Sequence, residues 1–144
     1  MQKRSEPRYA SFAYLQQKRL DSVLKAWSLL TYMTDVENPK AVLVWEKIAN
    51  EKVYALRLKQ AREYMIQLSG VFYEHGCGIL LEKKVKELCY EYRNLLYGVL
   101  LTTKNAQGAD TTIRLKNQEL VSRMKDVYNE LNTELRKELE KIEK

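Results

Sequence analysis

The chain has 144 residues, of which 45% are hydrophobic and 31% charged, and its formal net charge is +6. This balance excludes a disordered or low-complexity protein and fits one globular domain over residues 1–144, in which residues 1–8 and the last turns before 144 could fray or project. Five glycines and two prolines are few for this length, so long helices and an all-α fold are expected.

The longest apolar run, Leu95–Leu101, is far shorter than the ~20 residues that a membrane-spanning helix needs. No apolar stretch follows the basic N-terminus, so the start of the chain does not resemble a secretory signal. Two cysteines form no disulfide framework in a chain of this size, which favours a reducing, cytoplasmic setting. Whether the chain is a fragment of a longer membrane protein stays open.

The first predicted helix runs from about Tyr9 to Met33, where apolar residues recur every three or four positions. Asn38 and Pro39 then predict the start of a second helix, because asparagine is a good N-cap and proline is accepted in the first turn. The second helix is expected to continue to about Glu74, with a length of about 50 Å if it is unbroken.

The third predicted helix extends from about Leu81 to Thr103, with Cys89 on its apolar stripe as a small core residue. A polar connector follows, in which Asp110 is the expected cap of a fourth helix that runs from about Thr111 to the C-terminus. The apolar stripe of the fourth helix recurs about every 3.7 positions, which favours a straight packed helix over a heptad coiled coil.

These elements predict an up-down antiparallel bundle of four helices, or of five if the second helix is split near Asn50. Gly98 costs about 1 kcal/mol relative to alanine inside the third helix, so another helix is expected to approach it closely. That helix could belong to the same bundle, which is the commoner case, or to a second subunit. The residues predicted for this packing or oligomer face are Tyr97, Gly98, Leu101, Leu131, Leu135, Leu139 and Ile142.

The segment Gly70–Lys84 holds the only histidine, His75, together with Cys77 and three of the five glycines. A zinc site needs about four ligands, and a thiolate nucleophile needs a positioned base, neither of which this stretch supplies. A histidine in the last turn of one helix, a glycine after it and Glu82 in the first turn of the next helix are typical of a connector. We therefore interpret the segment as a turn, with no metal, cofactor or catalytic residue.

Half of the net positive charge lies in the first 24 residues, where basic and aromatic side chains are interleaved, and a second basic strip lies on the predicted second helix. Contacts with phosphates and unpaired bases need clustered basic side chains beside aromatic rings. The candidate contacts with an anionic partner are Lys3, Arg4, Arg8, Lys18, Arg19, Lys52, Lys59 and Arg62. A merely solvated face and an attachment to anionic lipid fit the same residues.

Sequence motifs for catalysis are absent: no phosphate-binding glycine loop, HExxH or GxSxG occurs, and one histidine cannot supply the pairs of a di-iron bundle. We therefore expect no enzyme activity. Ten tyrosines against two phenylalanines favour interfaces, because tyrosine combines an apolar ring with a polar hydroxyl. The leading hypothesis is protein–protein interaction, including self-association. The alternative is binding of nucleic acid or of an anionic membrane surface through the basic N-terminal helix.

Overall fold

The computed structural model describes residues 6–34, 38–74, 80–102 and 112–143, with the side chains of all of these except 6–11, 74, 102 and 143. The elements in chain order are α1 (Glu6–Ser28), α2 (Leu30–Met33), β1 (Leu43–Ile48), β2 (Glu51–Arg57), α3 (Leu58–Ser69), α4 (Lys83–Thr102), β3 (Thr112–Arg114) and α5 (Gln118–Glu143). A π-helical turn, Gly70–Glu74, extends α3. The protein is therefore mostly helical with a small three-stranded antiparallel sheet, and the prediction of an all-α up-down bundle is wrong.

The first predicted helix is present, but it is interrupted at Leu29 between α1 and the single-turn α2. The Leu29 N–H donates to the Ala26 carbonyl at 3.0 Å, and the Tyr32 N–H donates to the Leu29 carbonyl at 3.1 Å. Bonds between residues three apart tighten a helix and end its regular α geometry. The short α2 then places Leu30, Tyr32 and Met33 in the core.

The predicted second helix, Asn38–Glu74, is wrong in its first half, which is a β-hairpin. β1 pairs with β2 so that Ile48 lies opposite Glu51, which leaves Ala49 and Asn50 as a two-residue turn. Their φ angles are 51° and 65°, and positive values at both positions are those of a type I′ turn, whose twist matches that of the strands. The residue predicted to split a helix is therefore the turn of a hairpin, and helix begins only at Leu58.

The hairpin forms because its residues suit an alternating, half-buried strand. The segment Val42–Trp45 is β-branched, leucine and aromatic, which favours a strand. Leu43, Tyr54 and Leu56 are buried against the helices, and Val44, Val53 and Ala55 are half-buried on the other face. A run this short also fits a helical spacing, so periodicity alone could not distinguish the two structures.

The predicted N-cap Asn38 instead forms a turn that leads into β1. Its side-chain carbonyl accepts the Lys40 N–H at 2.7 Å, as an Asx turn does. The Arg57 guanidinium, at the end of β2, donates to the carbonyls of Ala41 at 2.8 Å and Asn38 at 2.9 Å. These bonds fasten the entry of the hairpin to its exit.

The third predicted helix is confirmed as α4, and Cys89 is fully buried in it as expected. The fourth predicted helix is present as α5, but it begins at Gln118 because Thr112–Arg114 pair with β2 as a third strand. Asn117 caps α5, since its side-chain carbonyl accepts the Glu119 and Leu120 N–H groups at 3.0 and 3.2 Å. The predicted cap, Asp110, lies outside the described residues.

The core lies between the helices and one face of the sheet, and α5 packs against α1, α2 and α4. Arg123 of α5 forms an ion pair with Glu91 of α4, which lowers the pKa of that carboxyl through the hydrogen bond from the guanidinium. The late part of α5 lies against the rest of the protein, because Leu135 is fully buried and Glu138 is 2% exposed. Among the described helices, none is both long enough and apolar enough to cross a membrane.

Candidate interaction surfaces

The basic residues predicted near the N-terminus do not form one described cluster. Lys3 and Arg4 lie outside the described residues, and so does the side chain of Arg8. Lys18 is exposed on α1, with its ammonium 5.5 Å from the centre of the Tyr14 ring. Only Lys18 and Arg19 of this set therefore have a described side chain.

Arg19 takes part in ion pairs within the fold. Its guanidinium donates to the buried Glu138 carboxylate at 2.8 Å and lies 3.5 Å from that of Glu82. Lys141 also lies 3.4 Å from Glu138 and 3.8 Å from Glu82. A buried carboxylate needs such partners, so Arg19 has a structural reason to be basic that requires no external anion.

The second basic strip is not continuous either. Lys59 and Arg62 lie on the exposed side of α3, whereas Lys52 lies near the turn of the hairpin. The six residues from Lys52 to Arg57, where β2 ends, extend about 17 Å. The structure instead places Lys52 directly across from Lys47 and over the ring of Trp45, with 4.3 Å between ammonium and ring centre.

The predicted packing face divides into a core half and a surface half. Leu131 and Leu135 are fully buried, and Leu139 and Ile142 are partly buried against the core. Tyr97, Gly98 and Leu101 lie on the exposed side of α4. Apart from its two chain neighbours and the backbone of α4 itself, no described atom lies within 4 Å of the position that a Cβ on Gly98 would occupy, so the favoured close approach within the bundle is not seen. Contact with a second subunit stays open.

Four large side chains form a stripe along the outer side of α4. Tyr90, Arg93, Tyr97 and Leu101 follow one another at intervals of three, four and four residues, which places them on one side of a helix. The Arg93 guanidinium carbon lies 4.7 Å from the Tyr90 ring centre and 5.7 Å from that of Tyr97, so it stacks between them. We call these four residues, with Tyr73 beside them, the outer tyrosine face.

Tyr73 joins this face through the π turn after α3. The Tyr90 hydroxyl donates to the Tyr73 hydroxyl at 3.0 Å, and the Tyr90 ring lies 5.3 Å from that of Phe72. Burial, and then the hydrogen bond with Tyr73, raise the pKa of Tyr90 to about 12, so its hydroxyl remains a donor near neutral pH. A groove of about 640 Å³ runs between the π turn and α4. Lys83, Lys86 and Asn94 line it on the side of α4.

Two kinds of chemically reactive group, metal ligands and thiols, can be compared with the structure. They contain no group of three or more histidine, cysteine, aspartate or glutamate side chains placed to hold a metal ion. Burial raises the pKa of the Cys89 thiol to about 12, so it is protonated and is a poor nucleophile. His75 and Cys77, the residues of the predicted connector, lie outside the described residues.

The sequence matches no model of a known protein family, and no curated protein is similar to it. Sequence reasoning selected Tyr97, Gly98 and Leu101 but missed Tyr73, Tyr90 and Arg93. The spacing of 90, 93, 97 and 101 was visible as a stripe, whereas the position of Tyr73 depends on how the π turn packs against α4.

Proposed function

We propose that the protein acts by protein–protein interaction, and that a second copy of the chain binds to the outer tyrosine face. One observation carries this proposal: Tyr73 and Leu101 are both 71% exposed on a face that also presents Tyr97 and the stacked Arg93. Tyrosine and arginine are enriched at the energetically important centres of interfaces, because they combine a large contact area with hydrogen bonding. Covering a leucine that is this exposed removes a large apolar area from water, and the resulting free energy favours association.

Gly98 supports a second copy as the occupant. A glycine within a helix costs about 1 kcal/mol relative to alanine, and no described atom packs close enough to offset that cost. A glycine lets another helix approach closely, and a two-fold contact brings the same patch of both copies together. We therefore infer that the α4 helices of two copies cross at Gly98, each with its Tyr97 and Leu101 against the other.

The interface is expected to be weak. The stripe from Tyr90 to Leu101 is about 17 Å long, and a stable interface usually buries about 800 Å² on each partner. The neighbouring Tyr73 and the groove beside it enlarge the area, but the contact remains of the small, transient class. Association is therefore expected to depend on protein concentration.

Sedimentation velocity over a range of concentrations tests the proposal. The average mass of the wild type should rise with concentration, and Leu101→Ser should hold it at that of a monomer. Leu24→Ser is a matched control, because Leu24 is 52% exposed on a different helix, and it should behave as the wild type does. A wild type that stays monomeric throughout, or equal effects of the two substitutions, would contradict the proposal.

Gly98→Ala provides a second test, because it should stabilise the monomer and at the same time weaken association. The substitution should raise the free energy of unfolding of the monomer by about 1 kcal/mol, because alanine favours a helix. It should weaken association, because the added methyl group holds the two helices apart. Unchanged association would mean that no helix packs closely at Gly98.

The proposal includes three expectations from the sequence: a cytoplasmic location, no enzyme activity and no cofactor. Binding of nucleic acid or of an anionic membrane by the basic N-terminal helix stays a prediction. The ion pairs of Arg19 weaken its basis, because they remove one of the five basic residues from the set available to an anion.

A further inference from the structure

The end of the hairpin separates its charges onto two faces. Every residue from Trp45 to Lys52 is exposed. Cross-strand partners point to the same side of a sheet, so Lys47 and its partner Lys52 share a side with Trp45. Glu46 and Glu51 alternate with them and point to the other side. We call the side with Trp45, Lys47 and Lys52 the lysine face.

The lysine face holds positive charge that the fold leaves unpaired. Like charges directly across two strands destabilise the pair. Among the described residues, neither Lys47 nor Lys52 lies within ion-pair distance of a carboxylate. An anion placed between the two ammonium groups would relieve their repulsion, so the face is suited to an anionic ligand.

Trp45 gives this face a second means of binding. Its side chain is 42% exposed, and the Lys52 ammonium covers part of the ring from 4.3 Å. A cation over an exposed ring is held only weakly, so Lys52 can move to a phosphate and leave the indole open. The cross-strand neighbour of Trp45 is Tyr54, which is buried and accepts a hydrogen bond from Lys125 at 2.8 Å. The strand position opposite Trp45 is therefore held in place by the core and by Lys125.

The geometry distinguishes among anionic partners. A membrane that met the hairpin by its tip would face two lysines and two glutamates together, whose charges cancel. A ligand that lies along the lysine face meets the lysines alone. An acidic peptide would use the lysines but has no group that requires the indole. A single-stranded nucleic acid uses both, because its phosphates contact lysines and its unpaired bases stack on aromatic rings.

We propose that the lysine face of the hairpin binds single-stranded nucleic acid, with Lys47 and Lys52 on neighbouring phosphates and Trp45 stacked on a base. Two phosphate contacts imply that the logarithm of the affinity falls against the logarithm of salt concentration with a slope of about −1.4. The affinity should be modest, with a dissociation constant of about 10⁻⁴ to 10⁻⁶ M at physiological salt, and no base should be strongly preferred. This binding site is separate from the outer tyrosine face.

Fluorescence anisotropy of a labelled, short oligothymidylate at several salt concentrations tests the proposal. Lys47→Gln and Lys52→Gln should each weaken binding several-fold and make the salt slope shallower by about 0.7. Trp45→Ala should weaken binding about tenfold and leave the salt slope unchanged, because stacking releases no counterions. Lys59→Gln removes the same charge from an exposed site on α3 and should have little effect. Leu101→Ser, which is expected to remove self-association, should also bind as the wild type does.

Circular dichroism and thermal unfolding establish that each variant is folded, and the two lysine variants keep the test valid if Trp45→Ala does not fold. Four results would overturn the proposal. They are absence of binding at low salt, equal losses for Lys47→Gln and Lys59→Gln, equal affinity for a duplex of the same length, and binding to phosphatidylserine vesicles or polyglutamate but not to the oligonucleotide.

Discussion

Tyrosine forms two groups in this protein, one inside and one outside, and α4 contributes to both. The inner group comprises Tyr32, Tyr64 and Tyr92, whose rings meet edge to face with centres 6.1 and 5.1 Å apart. The outer group belongs to the outer tyrosine face, where Arg93 stacks between the partly buried Tyr90 ring and the exposed Tyr97 ring. The same residue type therefore supports the core on one side of a helix and presents a contact surface on the other.

The hydroxyl groups show how the two environments differ. Inside, the Tyr64 hydroxyl donates to the Cys89 carbonyl at 2.7 Å, whereas the buried Tyr92 hydroxyl has no hydrogen-bond partner among the described residues. Outside, the Tyr73 and Tyr90 hydroxyls bond to each other and also face water. Buried tyrosine thus determines stability and carries a cost when its hydroxyl is unsatisfied, whereas exposed tyrosine leaves stability unchanged and remains available for binding.

The largest expected effect is that of Tyr64→Ala, which should lower the free energy of unfolding by about 3–5 kcal/mol because it leaves a cavity in the core. Tyr97→Ala, the matched change on the outer face, should alter it by no more than about 0.5 kcal/mol. Urea unfolding measures both values. Similar losses for the two variants would remove the distinction between the groups.

Alkaline pH should destabilise the protein through the inner group. Burial raises the pKa of both Tyr64 and Tyr92 above the ordinary value of 10.0, so the unfolded chain loses these protons at a lower pH than the folded one. Their contribution is fully present below pH 10 and should fall as pH rises beyond it, by up to about 1.4 kcal/mol per pH unit for each group. Urea unfolding at a series of alkaline pH values measures this slope, which should be shallower in Tyr92→Phe.

Removing single hydroxyls from the inner group should have opposite effects. Tyr92→Phe should leave stability unchanged or raise it by about 1 kcal/mol, because it deletes a buried polar atom that has no described partner. Tyr64→Phe should cost about 1 kcal/mol, because it removes the bond to Cys89. Thermal unfolding compares the two variants directly. A loss in Tyr92→Phe as large as that in Tyr64→Phe would show that the Tyr92 hydroxyl is satisfied in solution.

The smallest effect is expected on the outer face. Tyr73→Phe should change the free energy of unfolding by less than about 0.5 kcal/mol, since water can replace the lost bond. It should also lower the pKa of Tyr90, because the hydrogen bond with Tyr73 contributes to its elevation. Spectrophotometric titration of the tyrosines detects this shift. An unchanged titration curve would indicate that the two hydroxyls do not interact.

The helices were predictable where the apolar stripe was long. α1, α4 and α5 each exceed five turns, and over that length a helical spacing is distinct from alternation. The hairpin was not predictable, because Val42–Trp45 fits both a helical spacing and a strand, and because the turn of the hairpin contains no glycine. Ala49 in the left-handed region is unusual for a residue with a Cβ, so little in the sequence indicates a type I′ turn.

The candidate sites were only partly predictable for a different reason. An apolar stripe indicates that a face is covered but not by what, so Leu131 and Leu135 were grouped with an interface although they lie in the core. Lys52 was grouped with Lys59 because a helix would have aligned them, and a strand separates them instead. The outer tyrosine face and the lysine face both depend on contacts between elements, which no local pattern encodes.

Disulfide formation at Gly98 tests the central claim most directly, because it reports whether two outer tyrosine faces meet. In a Cys77→Ser background, Gly98→Cys should form a disulfide-linked dimer under mild oxidation, since a crossing at this residue brings the two Cα atoms within about 7 Å. Leu24→Cys, in the same background, should remain monomeric. No dimer through Gly98→Cys, or equal rates at both positions, would contradict the account.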